Sequence, residues 1–188
     1  MRRRAFPMLP ELFKSEDRVR ILRYTSERKS VSVRSVATGT GVSSPVVSRY
    51  LSVLIHQGLC EREGRTISWV SSPVSTELKR FMNFFLVDEH LPSLECAKGI
   101  GLYGSWARGT NTYESDLDLW ILLDEYDQEL ELTIAEFQHA LSQKIGYDVH
   151  TFILTKKKIR DLPSRDPPFY REFIKDHWVI RGEGIDIA

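Results

Sequence analysis

The sequence predicts an α+β chain in two parts: three helices closed by a hairpin, then a domain in which a small mixed β-sheet is flanked by helices. Three observations predict it. Apolar residues recur at helical spacing through the first stretch and give way to two short alternating runs around Gly64-Arg65. Beyond Ser71-Ser72-Pro73-Val74-Ser75, whose serines and proline read as a linker, strand-like and helical runs follow one another. Charge divides at the same place. Residues 1–75 carry 13 Lys+Arg against 6 Asp+Glu and residues 76–188 carry 13 against 20, so a chain of net charge zero consists of halves at +7 and −7. Domains are therefore expected at 1–75 and 76–188. Basic charge gathered on one domain is the footprint of nucleic-acid binding, and an acidic domain suits a site for divalent cations.

Composition narrows the class further. At 41% hydrophobic and 28% charged over 188 residues, the balance is that of an ordinary soluble chain. Cys60 and Cys96 are the only cysteines, which gives neither a disulfide framework nor a zinc pattern and points to a reducing cytoplasm. No apolar run reaches the ~18 residues of a membrane helix, so no membrane partner is expected. Arg2, Arg3 and Arg4 begin like a signal peptide, but Pro7, Pro10 and Glu11 stand where its apolar stretch would be. The first dozen residues read as a loose arm.

A first helix is predicted from an N-cap at Ser15, with Glu16 and Asp17 favoured in its first turn, carrying Val19, Ile21 and Leu22 inward and ending near Glu27. Lys29 and Ser30 turn the chain. A short helix from Ser32 carries Val33, Val36 and Ala37, and Thr38-Gly39-Thr40-Gly41 reads as a tight turn. The third helix follows Ser43-Ser44-Pro45 and runs to about Gln57, with Val47, Leu51, Leu54 and Ile55 inside and Ser44, Ser48, Arg49, Ser52 and His56 outside; Gly58 caps it. Strands from Leu59 to Glu63 and Thr66 to Val70 form the hairpin. This order, and above all Val42-Ser43-Ser44-Pro45-Val46-Val47-Ser48-Arg49-Tyr50-Leu51 leading to His56-Gln57-Gly58, resembles a winged helix-turn-helix domain of prokaryotic repressors over residues 12–72. The resemblance implies DNA as partner. Ser44, Pro45, Ser48 and Arg49 would face the major groove, and Arg62 and Arg65 of the wing would meet phosphates.

In the second domain, Leu78, Phe81, Met82 and Phe85 recur at helical spacing and predict a stripe packed on the sheet. Ile100-Gly101-Leu102-Tyr103 then reads as a buried strand that breaks at Gly104-Ser105-Trp106-Ala107-Arg108-Gly109. A glycine there permits close ligand approach, and Ser105 with the free N–H groups of a first helical turn would cradle an anion. Ser115-Asp116-Leu117-Asp118-Leu119 follows, and a strand at this point puts both carboxylates on one face and the leucines on the other. Two neighbouring carboxylates suit a hard cation, Mg²⁺ or Mn²⁺. Arg108 either steadies a phosphate or pairs with Glu114, and Trp120 either packs or stacks on a base.

Gly-Ser, then Ala-Arg-Gly, then Ser-Asp-x-Asp-Leu resembles the signature of the minimal nucleotidyltransferases of the DNA polymerase β superfamily, over residues 76–188. Gly104 and Ser105 would then grip the phosphates of a nucleoside triphosphate, ATP by analogy, while Asp116 and Asp118 hold the metals. The family's third acid would be Asp148, in the strand-like run Tyr147 to Leu154 that follows a long helix capped by Asp127 and carrying Leu130, Ile134, Phe137, Leu141 and Ile145. Lys156, Lys157, Lys158 and Arg160 either steer an anion or open a solvated helix; Pro168 opens a short helix, and Trp178-Val179-Ile180 ends the sheet.

The resemblance implies two-metal transfer of a nucleoside monophosphate to a hydroxyl. The domain is too small to hold a separate acceptor site, so the acceptor would be a protein, a nucleic-acid end or a second copy of this chain. Some minimal members pair with a small helical toxin, which makes an antitoxin role one expectation. The alternative is a transcription regulator that senses a nucleotide or metal without turnover.

Overall fold

The computed structural model describes residues 13–185, so the arm expected from residues 1–12 lies outside the described residues. The chain divides into two compact units between Lys79 and Arg80.

In the first unit, α1 (Glu16–Ser26) starts where the capping pattern requires, with the Ser15 hydroxyl accepting from the Arg18 amide. It buries Ile21, Leu22, Thr25 and Ser26. Val19 sits at the edge of that stripe and is 37% exposed, so its expected place inside is corrected. Strand β1 (Ser30–Val31) stands where a turn was expected and pairs antiparallel with the later strand Thr66–Trp69 through Val31 and Ile67. Two residues are too few for an alternation to show. Helix α2 (Val33–Thr40) opens with a reciprocal cap between Ser32 and Ser35, and Thr38 to Thr40 stay helical, the turn falling at Gly41 with φ +70°. Helix α3 (Ser44–His56) buries Val47, Tyr50, Leu51 and Leu54, while Ile55 is half-buried. Tyr50 was the missing core anchor. The hairpin of β2 (Cys60–Glu63) and β3 (Thr66–Trp69) completes a sheet of order β1-β3-β2. Helix, short helix, helix and hairpin make this unit a winged helix-turn-helix.

The expected linker Ser71–Ser75 is instead the start of a helix. Pro73, Val74 and Ser75 begin α4 (Pro73–His90), Ser72 and Ser75 cap each other through side chain and amide, and the Ser75 hydroxyl donates to the Val70 carbonyl at 2.7 Å. The serines that read as flexible are capping groups.

The second unit is built on a four-stranded mixed sheet. Its strands are β4 (Gly99–Leu102), β5 (Leu117–Leu122), β6 (Val149–Leu154) and β7 (Trp178–Gly182), in the order β6-β5-β4-β7. Only the β5–β6 pair is parallel, and α6 (Gln128–Ile145) makes the crossover between them. The Asp127 carboxylate accepts from the Glu129 and Leu130 amides, and Gly146 ends α6 at φ +74°. Ile134, Phe137, Leu141 and Ile145 of that helix pack with Leu117, Leu119 and Ile121. On the opposite face Trp120, Leu122 and Leu154 pack with Leu162 of α7 (Lys156–Arg165) and Phe173 of α8 (Pro167–Lys175). Strand alternation thus feeds two cores.

Helix α4 departs from its predicted face. Phe81 is 50% and Phe85 53% exposed, whereas the buried positions are Ser75, Lys79, Asn83 and Val87. The stripe is displaced onto polar residues that have partners. In the first unit Lys79 Nζ donates to the Ser26 carbonyl at 3.0 Å; in the second, Asn83 Nδ2 donates to the Trp106 carbonyl and to Asn111 Oδ1, each at 2.9 Å. A satisfied polar group can hold an inner position that hydrophobicity alone assigns to phenylalanine.

Candidate functional site

The site is built where β4 ends and β5 begins. Leu102 pairs with Leu119, and the Tyr103 amide donates to the Asp118 carbonyl at 3.1 Å, so the chain leaving β4 is laid against the start of β5. It then turns at Gly104 with φ +67° into α5 (Gly104–Arg108). A Cβ at Gly104 would sit 2.4 Å from Asp118 Oδ2. Only glycine allows both that backbone and that approach. No side chain caps the start of α5, so its first amides are not taken up by a cap.

Alternation along β5 turns Leu117 and Leu119 into the core and leaves Asp116 exposed and Asp118 half-buried on the other face. Burial is the main cause that raises the Asp118 carboxyl above its usual range; Asp116 pushes the same way, while His150 and Arg108 oppose it. Tyr103, beside this carboxylate, is likewise pushed up to about 12, mainly by burial. A carboxylate held half out of water beside another carboxylate gains when a cation joins them. Its donors fit Mg²⁺ or Mn²⁺: two hard carboxylate oxygens on one strand face, beside the Gly104 turn. Among the described residues, no three His, Cys, Asp or Glu side chains are already arranged around a metal position.

Asp148 lies one residue before β6, exposed, with its carbonyl accepting from the Leu117 amide at 2.8 Å. It lines a recess of about 410 Å³ together with Asp116, Ser115, Ser142 and Tyr147. The residue paired with Asp118 across the parallel ladder is His150, whose Nε2 lies 3.4 Å from Asp116 Oδ2. Sequence reading passed over His150, although the two-residue period from Asp148 puts it on the same face. Arg108 is exposed and its guanidinium lies 3.8 Å from Asp176; Glu114 accepts instead from the Tyr113 hydroxyl. Trp120 is fully buried and packs against Gly101 and the Phe173 core, so its packing alternative holds. Lys156, Lys157, Lys158 and Arg160 line a separate recess at the Leu154 end of β6, together with Asp124, Tyr126 and Phe152.

In the first unit, Ser44, Pro45 and Arg49 of α3 are exposed and Ser48 is half-buried; Arg62 of β2 and Arg65 of the wing turn are exposed. The predicted DNA-facing residues therefore all reach one side of α3 or the wing, outside the core of Val47, Tyr50, Leu51 and Leu54.

A winged helix-turn-helix followed by a mixed sheet whose Gly-Ser turn abuts an Asp-x-Asp strand defines a class: a regulator-type unit joined to a nucleotidyl-transfer domain. Residues 87–180, half of the chain, match the family described as nucleotidyltransferase domain, and residues 15–62 match the bacterial regulatory protein, arsR family. The chain belongs to the nucleotidyltransferase domain family. Among solved structures, it is similar to a candidate nucleotidyltransferase from Sulfolobus solfataricus at 18% identity and a TM-score of 0.34, over 58% of this chain and 89% of that one. Among the curated proteins compared, none matches. No helix among the described residues is long and apolar enough to cross a membrane.

Proposed function

We propose that the chain transfers a nucleoside monophosphate, AMP from ATP, to a hydroxyl of a macromolecular acceptor in the cytoplasm, and that its winged helix binds DNA. The observation that carries the reading is Gly104. Its φ and the 2.4 Å approach of a would-be Cβ to Asp118 Oδ2 set the Gly104 turn directly beside the Asp118 carboxylate, which supports reading the turn as the phosphate grip and the carboxylate as a metal ligand. In this reading the Gly104 backbone and Ser105 hydroxyl receive the β and γ phosphates, and Asp116 and Asp118 hold divalent ions. When bound, those ions would neutralise the phosphate oxygens and lower the pKa of the acceptor hydroxyl. Arg108, kept near the site by Asp176, offers a guanidinium to a phosphate oxygen. Trp106 and Ala107 lock α5 into the core and so fix the cradle.

The reading is tested by incubating the full chain with Mg²⁺ and each α-labelled nucleoside triphosphate, with and without cell extract, and following label transfer and pyrophosphate release. Label on a discrete protein or nucleic acid, absent with Asp116→Asn, supports a transferase and identifies the acceptor class. A labelled small helical protein would point to the antitoxin role, and label on the chain itself to transfer between copies. A second reading, a sensor without turnover, is favoured by the lack of a preassembled third ligand beside the aspartates. Metal-dependent nucleotide binding with no pyrophosphate released from any acceptor would select it.

A further inference from the structure

We propose that His150, and not Asp148, supplies the third protein ligand to the ion held by Asp116 and Asp118, making this a mixed nitrogen and oxygen site. The inference rests on the nucleotidyl-transfer reading above. It starts from register. In the parallel ladder Asp118 is paired with His150, and residues so paired present their side chains on the same face. Asp148 shares that face one step before the first pair of Leu117 with Val149, but its side chain is exposed and the contact it makes to β5 is through its carbonyl, which accepts from the Leu117 amide.

Contact points the same way. His150 Nε2 lies 3.4 Å from Asp116 Oδ2. Neighbouring ligand atoms of an octahedral ion at about 2.1 Å lie about 3.0 Å apart, so these two atoms need close by only about 0.4 Å to share one ion. The side chains of His150 and Asp116 are 61% and 53% exposed, so both have room to turn toward Asp118 when an ion arrives. No preassembled triad is needed. An imidazole changes which ion is favoured: Mg²⁺ is a hard ion served by oxygen, imidazole suits Zn²⁺, Fe²⁺ and Ni²⁺ best, and Mn²⁺, at the weak end of the transition-metal order, accepts a nitrogen ligand more readily than Mg²⁺ does. The site therefore prefers Mn²⁺ to Mg²⁺ more strongly than three carboxylates would.

The test uses the full chain with Mn²⁺ alone, without nucleotide, so that no base nitrogen is present. Electron paramagnetic resonance measures bound Mn²⁺, and electron spin echo modulation reports a directly bound nitrogen. The expected result is a nitrogen modulation that changes to the ¹⁵N pattern when histidine is ¹⁵N-labelled. It disappears in His150→Gln, with Mn²⁺ affinity falling about tenfold or more. Asp148→Asn keeps both signal and affinity, and His150→Asp narrows the preference for Mn²⁺ over Mg²⁺. Binding that needs Asp116 and Asp118 but shows no nitrogen, or that is lost in Asp148→Asn and kept in His150→Gln, overturns the assignment to His150 and leaves the aspartate site standing. Mn²⁺ binding unchanged in the Asp116→Asn, Asp118→Asn double variant overturns the wider site as well.

Discussion

Gly104 and Asp118 share one space, and their substitutions should fail in opposite directions. Gly104→Ala forces an L residue to φ +67° and drives a methyl against Asp118 Oδ2. The backbone alone costs about 1–2 kcal/mol, and the displaced carboxylate should weaken Mg²⁺-dependent nucleotide binding by about tenfold or more, a 1.4 kcal/mol effect at the least. Calorimetric melting and nucleotide titration read the two losses separately. Asp118→Asn should do the reverse to stability. Burial, with Asp116 adding to it, raises the folded-state pKa of this carboxyl above the unfolded one, against the opposing pull of His150 and Arg108. Such a group binds its proton more tightly in the folded chain, so its contribution is present at low pH and is lost as pH rises from the unfolded value through the folded one. The asparagine variant should therefore melt higher than the parent at pH 7 in chelator, with the gap closing toward acid pH. Added Mg²⁺ should raise the melting temperature of the parent and leave the variant unmoved. A parent that melts above the variant in chelator at pH 7 would contradict this account of the site.

Helix α4 tests which face was legible. Four apolar residues at helical spacing point to Phe81 and Phe85 as core, but the buried line passes through Lys79 and Asn83. Asn83→Leu removes a buried donor from the Trp106 carbonyl and the Asn111 side chain and should cost about 1–3 kcal/mol. Phe85→Ser, on the exposed side, should stay within about 0.5 kcal/mol of the parent. Urea unfolding of the two variants compares them directly, and a larger loss for Phe85→Ser would restore the hydrophobic face. The contrast with α6 explains the difference in legibility. There every buried position is apolar and the Asp127 cap and Gly146 exit mark both ends, so period, start and stop agree. On α4 the inward Lys79 and Asn83 are polar and satisfied by partners distant in sequence, information a single-sequence period does not contain. The same limit hid β1, a two-residue strand defined only by its partner Ile67, and His150, whose place beside Asp118 comes from strand register. The turn at Gly104 and the strand face shared by Asp116 and Asp118 were legible because their pattern is local: residue types at short spacing, bounded by leucines that fix the strand face.

At the scale of the molecule, the opposite charges of the two halves, +7 over residues 1–75 and −7 over residues 76–188, assign DNA to the first. A winged helix that binds through phosphates must release counterions, so its affinity falls linearly on a logarithmic salt scale with a slope near −0.9 per phosphate neutralised. Arg62 and Arg65 are exposed on the wing, and Arg49 is exposed on α3 among Ser44 and Pro45. The three arginines differ in what they should do. Arg62→Ala and Arg65→Ala should each flatten the salt slope by about one and weaken all DNA sequences alike. Arg49→Ala, on the helix proposed to enter the groove, should cost about 1–3 kcal/mol on the preferred sequence and much less on random DNA. Fluorescence anisotropy of the full chain with both DNAs at several salt concentrations separates these effects. Binding that ignores salt would deny the first unit a phosphate-gripping role. Uniform loss in all three variants would make Arg49 one more phosphate contact, and sequence preference would then have to come from Ser44, Pro45 and Ser48.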